Sequence, residues 1–265
     1  MTSDSRVKFK NPPVIESWIE FRFSYAEESP YWDETRAEAF IVDYFGGKFK
    51  VNSYFGRSEI VVDASKGRPD FSKPKLIFER IRAASLEQDR YIQAGRDLLV
   101  YNMLRKEHNW PEYSTLRTEA LDAYGKYIDC LKPNALKNIS LHYRDLVVIP
   151  FDEHNKVNLD GYFTILPKVP EGTYGDISGF MITLEMPEVC KSGVTRLIIQ
   201  NETSPSSSGV PASNARFRMD WHLNPHKAVE SLDKKIVTAW LDQAHDELFE
   251  AFVAAFTKKG LTLFA

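Results

Sequence analysis

The chain has 265 residues, of which 43% are hydrophobic and 13% aromatic, and this composition excludes a protein that is disordered throughout. The formal net charge of −3 at pH 7 excludes a global attraction to nucleic acid or to anionic membranes, but it leaves local basic surfaces open. Two cysteines, Cys130 and Cys190, are too few for a disulfide framework or a four-cysteine zinc site. No apolar leader follows Met1 and no run of about 18 apolar residues occurs, so we expect a cytoplasmic protein without a membrane span.

The first half of the chain predicts a strand, a helix, several further strands and a second helix, after a flexible tail over residues 1–10. In the first strand, over 14–24, apolar Ile19 and Phe21 alternate with Trp18 and Glu20, which predicts one buried and one exposed face. The half continues with a helix over 34–44 capped by Asp33, strands over 48–55, 59–63, 76–84, 90–94 and 98–104, and a helix from Trp110-Pro111 to about Cys130.

The second half predicts roughly the same order of elements. It begins with a long strand over 136–149, followed by a short helix or turn over 157–166 and strands over 177–186, 195–201 and 215–223. A long amphipathic helix is predicted over 227–258, because apolar residues recur there at helical spacing. Its apolar stripe consists of Leu232, Ile236, Trp240, Ala244, Leu248, Phe252 and Phe256.

This order of elements predicts an α+β fold made of two halves, residues 11–133 and 134–265, within one continuous structural unit. Each half is a βαβ(3–4)α unit, and together they are expected to form a curved antiparallel sheet with the helices on one side. The arrangement resembles TATA-binding-protein-like folds, a likeness of fold that implies no function. The halves share negligible sequence identity, so the predicted repeat is one of pattern. A single helix-grip domain with insertions is the alternative architecture.

Five segments, in order along nearly the whole chain, resemble a sporadically distributed prokaryotic family of uncharacterised proteins. The family has no assigned activity, so the resemblance implies none here. In the third segment the family usually has Arg-Tyr-x-Asn, from which His142 and Asp145 depart. The segments are Asn11-Pro12-Pro13-Val14-Ile15-Glu16 with Phe21; Trp110 before the helix that contains Tyr124; His142-Tyr143-Arg144-Asp145-Leu146 before Ile149-Pro150; Leu159-Asp160-Gly161-Tyr162-Phe163 before Pro167 and Pro170; and Ala244-His245-Asp246 before Phe249-Glu250.

Charged side chains alternate with apolar ones on four predicted strands, which places the charges on the face opposite the helices. Arginine on such a face could bind phosphate or carboxylate groups in bidentate fashion. The alternative is a solvated face with ion pairs between neighbouring strands. Trp18 lies among the charges, either as a stacking platform for a ring or covered by the N-terminal tail or a partner subunit. The predicted ligand-binding residues are Trp18, Arg22, Arg80, Arg82, His142, Arg144, Arg216, Arg218, Asp220 and His222.

The sequence predicts no catalytic residue, metal site or cofactor. No histidine pair has the HxH or HExxH spacing of a metal site, and the glycine-rich segments do not match phosphate-binding or dinucleotide-binding loops. Acid–base catalysis needs a histidine and a carboxylate that are close in space. Three histidines have a carboxylate nearby in the sequence: His142 with Asp145, His222 with Asp220, and His245 with Asp242.

The leading hypothesis is a non-enzymatic binding or accessory protein that holds a phosphorylated ligand, nucleic acid or a protein partner on the charged sheet face. The sporadic distribution of the resembled family fits an accessory gene, such as one in a bacterial defence or mobile locus. One alternative is an enzyme acting on nucleotide or nucleic-acid substrates, with His142, Asp220 and His222 as its acid–base set. Another is an obligate subunit, whose partner is a second copy of the chain or a different protein.

Overall fold

The computed structural model describes residues 9–25, 32–59, 62–63, 70–71, 75–107, 112–154, 156–165, 179–202 and 214–265. This part of the chain forms an α+β fold with a nine-stranded antiparallel sheet. In chain order the elements are β1 (Val14–Ser24), α1 (Glu34–Phe45), β2 (Phe49–Glu59), β3 (Val62–Asp63), β4 (Asp70–Phe71), β5 (Lys75–Ser85), β6 (Arg90–Gly95), β7 (Leu98–Leu104), α2 (Tyr113–Leu131), β8 (Ala135–Pro150), β9 (Met181–Met186), β10 (Gly193–Asn201), β11 (Asn214–Pro225), α3 (Lys234–Ala254) and α4 (Lys258–Leu261).

The large sheet has β1 and β8 as neighbours near its centre. Its strand order is β2-β5-β6-β7-β1-β8-β11-β10-β9, and every pair of neighbours is antiparallel. The short strands β3 and β4 pair only with each other. Strands from the first half of the chain therefore lie on one side of the β1–β8 pair, and strands from the second half lie on the other.

The alternation in β1 separates the two faces of the sheet as predicted. Ile19 and Phe21 have no exposed surface, and Phe21 packs on the Tyr124 ring of α2 with 4.8 Å between ring centroids. Phe23 similarly stacks on Tyr127 at 4.6 Å. We call this side of the sheet the helix face, because α1, α2 and α3 all pack against it. The side chains that alternate with these residues point to the opposite side, which we call the open face.

The first helix begins and ends where local chemistry predicts. The Asp33 carboxylate accepts a hydrogen bond from the backbone N–H of Arg36 at 2.9 Å, which satisfies one of the unpaired donors of the first turn. Gly46 ends α1 with a φ of 56°, a left-handed conformation that glycine adopts without strain. From α1, the Phe40 ring contacts Tyr127 of α2 edge to face, which joins the two helices above the sheet.

The last long helix is shorter than the sequence pattern predicts, so the expectation of a helix over 227–258 is wrong at both ends. It begins after Asp233, whose carboxylate accepts a hydrogen bond from the backbone N–H of Lys235 at 2.8 Å. It ends at Ala254, and Thr257 then caps the separate helix α4. The predicted stripe also includes Ile236, which is 49% exposed, whereas Val237 takes the buried position.

Other boundaries differ by a few residues. The strands predicted over 48–55 and 59–63 merge in part, because β2 runs through Glu59. The described part of the predicted segment 157–166, residues 157–165, contains a 3₁₀ turn over Leu159–Gly161. The predicted opening of α2 at Trp110-Pro111 and residues 1–8 of the predicted tail lie outside the described residues, while Phe9 packs against Phe252 and Phe264. No helix in the described ranges combines the length and apolarity needed to cross a membrane.

Candidate functional site

The open face brings Trp18 together with two of the predicted histidines. Cross-strand pairing places Trp18 of β1 opposite His142 of β8, and His142 opposite His222 of β11. The Trp18 indole stacks on the His142 imidazole, with 4.6 Å between centroids and an interplanar angle of 4°. The edge of His222 faces Trp18 at 5.9 Å. Three rings from three strands therefore form one aromatic cluster.

The two histidines bond directly to each other. His142 Nδ1 and His222 Nδ1 lie 2.5 Å apart, and the remaining nitrogen of His142 is 2.7 Å from Ser140 Oγ. Burial is the main reason why the pKa of His142 lies well below its ordinary value, and repulsion from a protonated His222 would lower it further. Burial also lowers the pKa of His222. At neutral pH both rings are therefore uncharged, so that one Nδ1–H can donate to the other Nδ1.

A chain of paired carboxylates and arginines runs beside the aromatic cluster. Arg144 donates to Glu16 Oε2 and to Asp220 Oδ1, at 2.7 Å in each case. Asn102 Nδ2 donates to the other Glu16 oxygen at 2.9 Å, and Arg218 Nε lies 3.1 Å from Asp220 Oδ2. Two carboxylates and two guanidinium groups balance one another, so this carboxylate–arginine chain is electrically neutral overall. An anion would have to compete with a carboxylate to bind Arg144.

A pocket of about 260 Å³ opens on this face, on the β7 side of Trp18. Its apolar floor comes from Leu98 and Val100, both buried in β7. Polar groups of three kinds surround the floor: carboxylates, side-chain amides and guanidinium groups. The lining residues are Glu16, Trp18, Glu20, Arg80, Gln93, Leu98, Val100, Asn102 and Arg144.

Gly95 keeps the Arg80 side of the pocket clear. It lies opposite Arg80 in the β5–β6 pairing. A Cβ at this position would come within 2.9 Å of the Glu79 carbonyl oxygen and 3.2 Å of the Arg80 Cβ. Because real Cβ contacts are not this short to a backbone atom, a side chain at position 95 would displace β5 or Arg80.

The predicted ligand-binding residues divide into three groups on the open face. Trp18, Arg80 and Arg144 line the pocket, while His142, His222, Arg218 and Asp220 belong to the aromatic cluster or to the carboxylate–arginine chain. Arg22 and Arg216 do not line the pocket, although Arg22 contacts the lining residue Glu20. Arg22 pairs with Glu20 at 2.7 Å toward one end of the sheet, and Arg216 lies opposite Val148 toward the other. Arg82 lies next to the pocket on β5, opposite Gln93.

The histidine–carboxylate pairs suggested by the sequence do not form acid–base pairs. His142 and Asp145 are an odd number of residues apart on β8, so they lie on opposite faces of the sheet. Asp220 shares a face with His222, but Arg144 and Arg218 hold its two oxygens. The Asp242 carboxylate, near His245 in sequence, instead accepts two hydrogen bonds from Arg117 at 2.5 and 2.7 Å.

A second polar cluster lies on the helix face, directly beneath the first. Tyr143 of β8 bonds through its hydroxyl to His245 Nδ1 of α3 at 2.9 Å. Asp145 is 2% exposed, and burial raises its pKa to about 8. Ser17 Oγ, Asp145 Oδ1 and Trp221 Nε1 are buried here without ideal hydrogen-bond geometry, although the Trp221 indole interacts with Asp145 and opposes part of its pKa shift. Such atoms are costly to bury, and water is their usual partner in folded proteins.

The sequence patterns did not single out the amides of the pocket or this second cluster. Asn102 is the one polar side chain in the apolar strand β7, and that isolation is a signal that could have marked it. Gln93 and the helix-face residues carry no such signal, because their roles depend on strands that are distant in sequence. Three of the segments that carry the family resemblance meet here, since Glu16 bonds Arg144 and Tyr143 bonds His245.

Within the described ranges, no group of three or more His, Cys, Asp or Glu side chains is arranged to hold a metal ion. The cysteines are free thiols, and Cys190 is buried. No protein-family model matches the chain, and a comparison with curated proteins gives no match either. The open-face pocket is therefore the candidate site on the grounds of its geometry alone.

Proposed function

We propose that this protein binds a small nucleotide-type ligand in the open-face pocket, as a binding protein rather than a catalyst. The observation that carries the proposal is the composition of the pocket wall, which places an aromatic ring, two amides, two guanidinium groups and two carboxylates around one apolar floor. A volume of about 260 Å³ lies just below the roughly 300–1,000 Å³ typical of ligand pockets, which favours a ligand no larger than a mononucleotide.

The ring, the amides and Arg80 each match one part of a nucleotide, while the lining carboxylate Glu16 is bonded to Arg144 and Glu20 to Arg22. His142 stacks on the Trp18 ring and the Arg144 guanidinium lies 5.5 Å from its centroid, so a base could stack on the part of the ring that lines the pocket. The amides of Asn102 and Gln93 are suited to the donor and acceptor edge of a base. Arg80 is suited to the phosphate, because none of the described carboxylates forms an ion pair with it.

The geometry supports binding better than it supports catalysis. An acid–base set of His142, Asp220 and His222 would need a carboxylate that orients a histidine. Asp220 is held by two arginines instead, and His142 is 8% exposed and bonds to His222 and Ser140. The third hypothesis, an obligate subunit, would need a large exposed apolar surface. Among the described residues the exposed large apolar side chains lie on separate elements, with Val42 on α1, Leu76 on β5 and Met181 on β9, which does not favour it.

The two-half, TATA-binding-protein-like architecture belongs to the same proposal. Two observations support it: the β1–β8 pair lies between the strand groups β7-β6-β5-β2 and β11-β10-β9, and in each half a long helix, α2 or α3, follows the last strand. The second half has a 3₁₀ turn at the place in the order where the first half has α1. Likeness of this kind bears on the fold and implies nothing about the ligand.

Calorimetric titration of the full chain with AMP, GMP, CMP and UMP, and with the matching nucleosides, tests the function. We expect at least one nucleotide to bind, and to bind more tightly than its nucleoside. Loss of stacking in Trp18→Ala should weaken binding about 5- to 150-fold, since a base–aromatic stack contributes roughly 1–3 kcal/mol. Arg80→Gln should remove most of the preference for the nucleotide over the nucleoside.

Arg57→Gln is the matched control, because the Arg57 side chain is 66% exposed and pairs with Glu79 at 3.7 Å outside the pocket. It should bind as the wild type does. Circular dichroism of each variant shows whether the fold is retained, and Trp18→Phe supplies a milder change that keeps a ring. Absence of binding to every nucleotide at millimolar concentration, or equal binding by wild type, Trp18→Ala and Trp18→Phe, would overturn the proposal.

A further inference from the structure

An arginine–aromatic surface continues the open face from the pocket toward the β2 edge of the sheet. It consists of Phe55 on β2, Arg80 and Arg82 on β5, and Tyr91 on β6. The Arg80 guanidinium lies 4.9 Å from the centroid of the Phe55 ring, and the Arg82 guanidinium lies 5.6 Å from Tyr91 and 6.0 Å from Phe55. Two cations therefore rest on two rings, an arrangement that holds each guanidinium in place.

Unlike the arginines beside Trp18, these two keep their charge unbalanced. No carboxylate among the described residues forms an ion pair with Arg80 or Arg82, whereas Arg144 contacts two. Within the described ranges, Arg82 donates to two neutral oxygens, Asn52 Oδ1 and Ser53 Oγ, at 3.2 Å each. Arg80 Nε is buried without a hydrogen-bond partner. A phosphate beside each guanidinium would supply one negative charge for each cation.

The spacing of the two arginines matches a chain of phosphates. Arg80 and Arg82 are two residues apart on one face of β5, so their Cα atoms are about 7 Å apart. This is comparable with the separation of successive phosphates along an extended single strand. Arg82 also lies directly opposite Gln93, which lines the pocket, so the second cation follows the first without a gap.

We infer that the ligand of the pocket is one unit of a single-stranded nucleic acid. One base lies in the pocket against Trp18, its phosphate binds Arg80, and the next phosphate along the strand binds Arg82. This inference rests on the proposed function of the pocket and extends it from a mononucleotide to an oligomer. Charge and aromatic rings together are the means by which proteins bind single strands with little sequence preference.

Fluorescence anisotropy with 5′-labelled oligouridylates and oligothymidylates of one to eight nucleotides tests the inference on the full chain. We expect affinity to rise at least tenfold between one and four nucleotides. Arg82→Gln should abolish that rise and leave mononucleotide affinity within twofold of wild type. In a salt titration with the four-nucleotide strand, the variant should lose roughly 0.7 from the slope of log K against log salt, which corresponds to one phosphate contact.

Arg57→Gln is again the control, as an exposed arginine of the neighbouring strand that should keep the wild-type length dependence. Arg82→Lys separates charge from stacking, and it should retain part of the gain if Arg82→Gln proves poorly folded. Mononucleotide binding without any gain from length would overturn the inference and leave the proposed function standing. If neither Trp18→Ala nor Arg82→Gln affects the binding of oligomers, the inference and the proposed function are both overturned. If only oligothymidylate or only oligouridylate gains affinity with length, the inference is supported for that class of strand.

Discussion

Among single side chains, Asp145 should have a clear effect on how the free energy of unfolding depends on pH. Its carboxyl is buried on the helix face, and burial raises its pKa to about 8. The unfolded chain releases the same proton near pH 4. Between these values the folded protein holds a proton that the unfolded chain lacks, so the stabilisation linked to Asp145 is complete below about pH 4 and is lost as the pH rises toward 8.

We expect Asp145→Asn to remove this dependence, because an amide stays neutral at every pH. The free energy of unfolding of the variant minus that of the wild type should increase by about 1.4 kcal/mol for each pH unit between about pH 5 and 7. Urea denaturation of both proteins at several pH values in that range measures the difference. Asp43→Asn, an exposed position on α1, is the control and should show no such slope. A constant difference between Asp145→Asn and wild type would mean that Asp145 is ionised in the folded state.

At this scale the sequence predicts which face a side chain occupies, and it does not predict its partner. Alternation placed Trp18 with Glu16 and Glu20 on the open face, where the pocket lies. The same rule could have separated His142 from Asp145, since residues three apart on a strand point to opposite faces. That Arg144 bonds Asp220 depends on the pairing of β8 with β11, which no local pattern encodes.

Among the elements, the β5–β6 pair bears most directly on the pocket. Gly95→Ala places a methyl group within 2.9 Å of the Glu79 carbonyl oxygen, so the two strands must move apart or Arg80 must shift. We expect a loss of about 1–3 kcal/mol in unfolding free energy, as for other overpacked sites. Nucleotide affinity should fall with it, because Arg80 lines the pocket.

Gly125→Ala is the matched control for this substitution. Apart from its chain neighbours and the backbone of α2, none of the described residues has a heavy atom within 4 Å of a Cβ at position 125, which is in the middle of α2. Alanine should therefore raise stability by up to about 1 kcal/mol through its higher helix propensity, without any effect on binding. Thermal unfolding compares the three proteins. Equal stability of wild type and Gly95→Ala would show that the strands accommodate the methyl group.

Element boundaries follow local chemistry where one signal dominates. β1 and β7 span the predicted 14–24 and 98–104, because alternation or a continuous apolar run is bounded there by turn residues. The helical spacing predicts a start of α3 at residue 227, seven residues too early, because Val229 and Leu232 continue that spacing before Asp233. Both side chains pack against the core from non-helical backbone, so an apolar residue at helical spacing does not by itself mark a helical one.

At the scale of the whole molecule, the two halves are joined twice. β1 and β8 pair along most of their lengths within the sheet, and α2 packs on α3 above it. Across the helix contact, the Tyr113 ring stacks on His245 at 3.8 Å and Arg117 bonds Asp242. The sequence predicts two similar halves, but it contains no local pattern for these contacts, because each joins residues more than 100 positions apart.

This double connection predicts that the halves unfold as one cooperative unit. Leu248→Ala in α3 removes a side chain that is 2% exposed, and we expect it to lower the unfolding free energy by about 2–5 kcal/mol. If unfolding is cooperative, native-state hydrogen exchange of the β6 and β7 amides in the first half should accelerate as much as that of the β10 amides. Ile236→Ala, at an exposed position of the same helix, should change neither by more than about 0.5 kcal/mol. Faster exchange confined to β9, β10 and β11 would instead show that the second half unfolds independently, and would place the boundary between β1 and β8.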